Sequence, residues 1–222
     1  MQFWPMVLSL AQGLLVSTEI FAFTLLFALP LGLLIAFGRM SKIGLVRQIF
    51  RIYISIMRGT PLMLQLFFFY FGPYYLLGIP LNKLGLFGVE YRFISVIIGF
   101  SLNYAAYFAE IYRAGIESIP VGQYEASSVL GLSKSQTFFL IIFPQVVKRI
   151  IPPVTNEVIT LVKDTSLAFA LSVMEMFTIA KMEAAAHTTM VPFIVAGIFY
   201  YIFNFIVAWA MERLEKSLNY YR

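Results

Sequence analysis

Four uncharged stretches decide what this chain can fold into. Nineteen residues separate Glu19 from Arg39, and twenty-four separate Arg58 from Lys83. Seventeen lie between Arg92 and Glu110, and twenty-four between His187 and Glu212. A helix needs about 20 apolar residues to cross the hydrocarbon of a bilayer, and each stretch is near that length. A fifth span is expected from Ile151 to Met174, apolar except for the polar run NEVITLVKDTSL, Asn156 to Leu167. Only 12% of the 222 residues are charged, about half the share of a soluble domain. The expectation is an all-α polytopic membrane protein: five transmembrane helices in a single transmembrane domain, 1–222.

The basic residues are unevenly placed. Arg39, Lys42, Arg47, Arg51 and Arg58 fill the first loop without an acid among them. Arg113, Lys134, Lys148 and Arg149 follow the third span, and Arg213, Lys216 and Arg222 end the chain. Cytoplasmic loops concentrate Lys and Arg, so the N-terminus is expected outside and the C-terminus in the cytoplasm. The net charge of +5 therefore reports topology, and no nucleic-acid partner is expected. The absence of cysteine excludes disulfides and thiolate-bound metals. Residues 1–18 lack the basic n-region and small-residue cleavage site of a removable signal. With Trp4 among them, they are expected to lie along the outer interface before a first span from Glu19 to Gly38.

The second span is expected over Thr60–Leu77, where Pro61 suits a first helical turn, and the third over Phe93–Tyr112. Residues 113–148 are more polar and predict a cytoplasmic hairpin. One helix runs from Pro120 and Gly122 to Leu130 and ends at Gly131; a second starts at Ser133 with Gln136 completing a capping box. Tyr124, Val129, Leu130 and Leu132 then call for a partner surface, unless the hairpin folds back on the spans.

Within the hairpin, EASSVLGLSKSQTFFLIIFP resembles the "EAA" loop of the permeases of binding-protein-dependent ABC importers. Glu125, Ala126, Gly131, Ile141 and Pro144 keep the pattern, while Ser127 and Phe143 depart from it conservatively. RGTPLMLQLFFFYFG, NYAAYFAEIYRAGIESIPVGQYEA and LVKDTSL are similar to the polar amino acid subgroup of that family. The resemblance implies a type I importer fold and a pair of permease copies, expected as a homodimer. It also implies two copies of a separate ATPase, and an extracytoplasmic binding protein that delivers substrate across the bacterial inner membrane. Glu125, Ala126, Gly131 and Leu132 would dock the hairpin on the ATPase. ATP and Mg would belong to that partner, since no GxxxxGK[ST] run occurs here. No cofactor or metal is expected in this chain.

The intramembrane polar residues are the candidate site. Glu157, Thr160 and Asp164 share one helical face, and Asn156, Thr160 and Lys163 a neighbouring stripe. Asn103, Tyr107 and Glu110 share a face of the third span. Lys163 and Asp164 are read as structural or gating, as is Glu110, with Arg113 at ion-pair spacing. Glu157 has no basic residue on its own face and needs a cation. It is therefore read as the recognition site for the side chain of arginine, lysine or histidine. Asn103, Tyr107, Asn156, Thr160 and Gln65 would shape the pocket, with Tyr70 and Glu19 as weaker candidates. His187 is read as a loop residue, and Met174, Met176 and Met182 as packing. Four alternatives stand beside this reading. An ion- or proton-coupled secondary transporter leaves the hairpin unexplained, and the same permease could carry glutamine or another neutral polar amino acid. A non-transporting adaptor needs only the hairpin. A membrane enzyme lacks any visible nucleophile–base pair.

Overall fold

The computed structural model describes residues 3–86 and 89–218. Among them are the helices α1 (Phe3–Arg39), α2 (Gly44–Gly59), α3 (Leu62–Leu77), α4 (Tyr91–Glu117) and α5 (Val121–Val129). A single turn, α6 (Lys134–Gln136), leads through a π-helical turn (Thr137–Ile142) into α7 (Phe143–Asp164). A 3-10 segment (Thr165–Leu171), α8 (Met176–His187) and α9 (Val191–Leu218) complete the chain. Among the described residues, four helical runs are long and apolar enough to cross a membrane: Phe3–Arg39, Tyr91–Glu117, Lys134–Leu171 and Val191–Leu218. The number is five when α2 and α3, bent by 112° at their break, are taken together as one span.

Three expectations about element boundaries give way. The interfacial segment expected over 1–18 is, from Phe3 onward, the first half of α1. Its buried positions Met6, Leu10, Gly13, Ser17, Ile20, Thr24, Ala28 and Gly32 step by three and four residues without a break. One continuous stripe therefore packs first on α8 and α9 and then on α4. The first basic loop is the helix α2. Its inward face is Phe50, Tyr53, Ile54 and Met57, and its exposed apolar stripe is Leu45, Ile49, Ile52 and Ile56. The helix expected to begin at Ile151 begins earlier, at Phe143, so that Pro152 and Pro153, which could have opened it, lie inside α7. Ile142, Val146 and Ile150 pack with Ile119 ahead of them, so tertiary contact holds the preceding turns helical. Proline inside a membrane helix is tolerated where neighbours satisfy the freed carbonyls.

The frame of the molecule is the α1–α4 pair. Ala28 and Ala36 of α1 share one buried cluster with Ala105, Phe108 and Ala109 of α4, and Gly32 lies against the same three residues. Water drives no helix association inside lipid, so close backbone approach through small residues supplies the contact. A Cβ on Gly32 would lie 2.8 Å from Cβ of Phe108 and 3.1 Å from the carbonyl oxygen of Ala105. Gly32→Leu is thus expected to force the two helices apart, at a cost of about 1–3 kcal/mol or more. The readout is a lowered apparent melting temperature of the detergent-purified protein; an unchanged one would contradict this seam.

Candidate functional site

The elbow between α2 and α3 fixes one wall of the site. Gln65 and Asn103 are only 7% and 5% exposed, so their amides need partners. Nε2 of Gln65 donates to the carbonyls of Met57 (3.0 Å) and Thr60 (3.1 Å) and to Oγ1 of Thr60 (2.8 Å). Nδ2 of Asn103 donates to the Met57 carbonyl (2.9 Å) and to Oε1 of Gln65 (3.0 Å). The carbonyls released by the bend are thereby satisfied, and α4 is tied to the elbow. Both residues were expected to shape a pocket, but their amide donors are spent inside the chain.

Beside this clamp lies a cavity of about 570 Å³ between α2, α4 and α7. Its lining is ordered in charged layers. Nearest the hairpin, Arg149 donates to the backbone carbonyl and the hydroxyl of Ser118. In the middle, Arg113 grips Glu110 through Nε and Nη2, the shorter bond being 2.7 Å. Arg39 stands 4.0 Å from the same carboxylate, and Arg113 also pairs with Glu117. The spacing expected for Glu110 and Arg113 is thus an ion pair. Furthest from the hairpin are Arg58, Tyr107 and Glu157. The Arg58 guanidinium lies 5.2 Å from the Tyr107 ring centroid. Among the described residues, neither Arg58 nor Glu157 makes a side-chain hydrogen bond or an ion pair within 4.0 Å. Arg58 was counted only as a topological charge; its place just before Gly59-Thr60-Pro61, at a helix break, was the available signal.

The other polar residues of NEVITLVKDTSL go elsewhere. Tyr104 donates to Oδ2 of Asp164 at 2.7 Å, linking α4 to the end of α7. Thr165 and Ser166 donate to the carbonyls of Val162 and Lys163, which tightens the chain into its 3-10 segment. Asn156, Thr160 and Lys163 are exposed and are not among the residues that line this cavity, with the Thr160 hydroxyl donating to the Asn156 carbonyl. Tyr70 stacks on Tyr91, Glu19 is exposed, and His187 sits 3.6 Å from Glu183. Sequence reasoning passed over Glu175, which is fully buried. It caps α8 by accepting from the backbone of Phe177 and Thr178, and it also accepts from the hydroxyls of Thr178 and Tyr200.

The hairpin has the expected local geometry. Gly131 takes φ +75°, and the amides of Gly131 and Leu132 return to the carbonyls of Ser128 (3.0 Å) and Ser127 (3.1 Å), a Schellman closure. Ser133 and Gln136 exchange both capping-box bonds. Ser127 is the buried residue of α5, while Glu125 and Ala126 are exposed. Val129 and Leu130 are 87% and 77% exposed, so the hairpin does not fold back onto the spans to cover them.

The family model for the inner membrane component of binding-protein-dependent transport systems matches residues 28–220. The L-cystine transport system permease protein of Bacillus subtilis is 36% identical over 99% of this chain and 89% of its own length. A putative glutamine transport system permease protein of Rickettsia bellii is 33% identical over 98% of this chain and 96% of its own. Among solved structures, an amino acid ABC transporter crystallised with histidines superposes with a TM-score of 0.83 at 26% identity, covering 98% of this chain and 99% of that one. A methionine ABC transporter shares the fold, with a TM-score of 0.71 at 19% identity over 97% of each chain.

The elbow clamp generates a test of its own. Asn103→Ala and Gln65→Ala each strand buried partners, and each is expected to cost about 1–3 kcal/mol of stability. Because they share one network, the double variant should cost less than the sum of the two. Thermal unfolding of the three variants checks this, and strict additivity would mean that the two amides act independently.

Proposed function

The chain belongs to the family of inner membrane components of binding-protein-dependent transport systems, and we propose that it is the permease of an amino acid importer whose path admits cationic side chains at Glu157. It is a transport subunit and not an enzyme. The amino acid substrates named for its relatives support the general reading. The observation that carries the finer one is Glu157, a half-buried carboxylate on the cavity wall without a hydrogen-bonding or ion-pairing partner among the described residues. A guanidinium or ammonium group entering the cavity would supply the charge that such a carboxylate lacks.

The rest of the reading follows from how the hairpin is joined. Its partner would be an ATPase seated against Glu125, Ala126, Leu132 and the exposed Val129 and Leu130, with ATP and Mg held by that subunit. α5 packs on the π turn and reaches α7 through the Gln145–Gln123 hydrogen bond (3.2 Å). α7 carries Glu157, so ATPase closure would be delivered to the cavity as a rigid-body displacement. Two permease copies, as a homodimer, and an extracytoplasmic binding protein complete the assembly. The N-terminus lies outside and the C-terminus with the hairpin in the cytoplasm, as the basic residues indicate.

A second reading, a neutral polar substrate such as glutamine or cystine, is favoured by the relatives. Uptake by the reconstituted complex decides between them. Glu157→Gln is expected to lower arginine uptake about tenfold or more, the loss of a charge-assisted contact, while glutamine uptake changes little. Equal effects on both amino acids would remove the cationic reading.

A further inference from the structure

Three arginines line the cavity, and two of them are already committed. Arg113 is bound to Glu110 and Glu117, and Arg149 to Ser118. Arg58 differs. Its contact with the Tyr107 ring consumes no N–H donor, so its planar fork is unspent among the described residues. The elbow also holds it in place, because the carbonyl of the residue before it, Met57, accepts from both Gln65 and Asn103. A guanidinium with free donors, beside a carboxylate with free acceptors, makes a cavity end that carries one charge of each sign.

We infer that Arg58 is the binding site for the α-carboxylate of the transported solute, paired with Glu157 for its positive end. This rests on the amino acid reading given above and adds the second half of the site. A guanidinium matches a carboxylate bidentately. An amino acid with a cationic side chain offers both complements at once, so one molecule satisfies both unpaired charges of the cavity wall. A cation without a carboxylate leaves Arg58 unmatched and meets its repulsion. Arg58 and Tyr107 lie on α2 and α4, which the clamp joins, whereas Glu157 lies on α7; the solute would bridge the two.

The test is equilibrium binding to the detergent-purified permease assembled with its ATPase. The probes are L-arginine, L-glutamine and L-cystine, together with the α-amide of each acid that binds. The wild type should prefer acid over amide by about tenfold or more. Arg58→Gln should abolish that preference by weakening the acid alone, and the amide's retained binding shows that the variant is folded. Arg58→Lys, which keeps the charge without the fork, should keep part of the preference. A preference that survives in Arg58→Gln, or acid and amide weakened alike, would overturn the assignment. A wild type that binds glutamine or cystine but not arginine removes the cationic reading alone, and the amide comparison then still decides Arg58. Binding of none of the three acids overturns the amino acid reading and this inference with it.

Discussion

A backbone that turns between two apolar helices leaves carbonyls and amides that must find partners, the more so where lipid offers none. This chain turns through 112° between Gly59 and Leu62, and two amide side chains meet the requirement there. Gln65 returns to the elbow's own carbonyls, and Asn103 reaches across from α4 to the same Met57 oxygen. The consequence extends beyond local satisfaction. Because one clamp residue lies on α4, the elbow is fixed to the helix that α1 packs against most closely. Arg58, one residue from the clamped carbonyl, therefore has a defined place in the cavity instead of a long side chain's freedom on a loose loop.

From that wall the cavity reads as a gradient of charge satisfaction. The arginine nearest the hairpin is held by the carbonyl and hydroxyl of Ser118, and the next by two carboxylates. Only the far layer contains a guanidinium and a carboxylate without direct partners among the described residues. Buried or half-buried charges are stable when paired, so the paired layers are walls. The unpaired layer is where a ligand's charges gain most. Asp164 illustrates the difference. It shares a helical face with Glu157, but a Tyr104 hydroxyl occupies it, and it links α4 to the end of α7.

The sequence made the spans, the hairpin and its caps legible because each rests on local rules. Uncharged length shows a membrane helix, Gly131 shows a left-handed closure, and Ser133 with Gln136 shows a capping box. Glu157 stood out because nothing on its own helix neutralises it. What stayed hidden depends on contacts between distant residues. Asn103 and Gln65 have the composition of ligand-binding side chains, and only the elbow's position turns them inward. Pro152 and Pro153 look like a helix start until Ile142 and Val146 are seen packing on Ile119 ahead of them. The break expected at Glu19 fails because the buried stripe of α1 crosses it. That stripe was present in the sequence, but its outer half needed α8 and α9 to show it as a packing face.

The distribution of the far layer over two bodies bears on how a permease of this kind would release its solute. Arg58 is joined through the clamp to α4, which carries Tyr107. Glu157 lies on α7, which continues through the π turn into the hairpin. A π turn carries one more residue per hydrogen-bonded ring than an α turn. Here it stands between the exposed hairpin and the helix that bears the carboxylate. A displacement entering at α5 would therefore change the spacing between the two charges and leave each within its own wall. A solute held at both ends is sensitive to that spacing, because bidentate geometry is lost within a fraction of an ångström to an ångström. On the proposed assignment, the movement that opens the path and the movement that loosens the solute are one displacement, with no separate latch required.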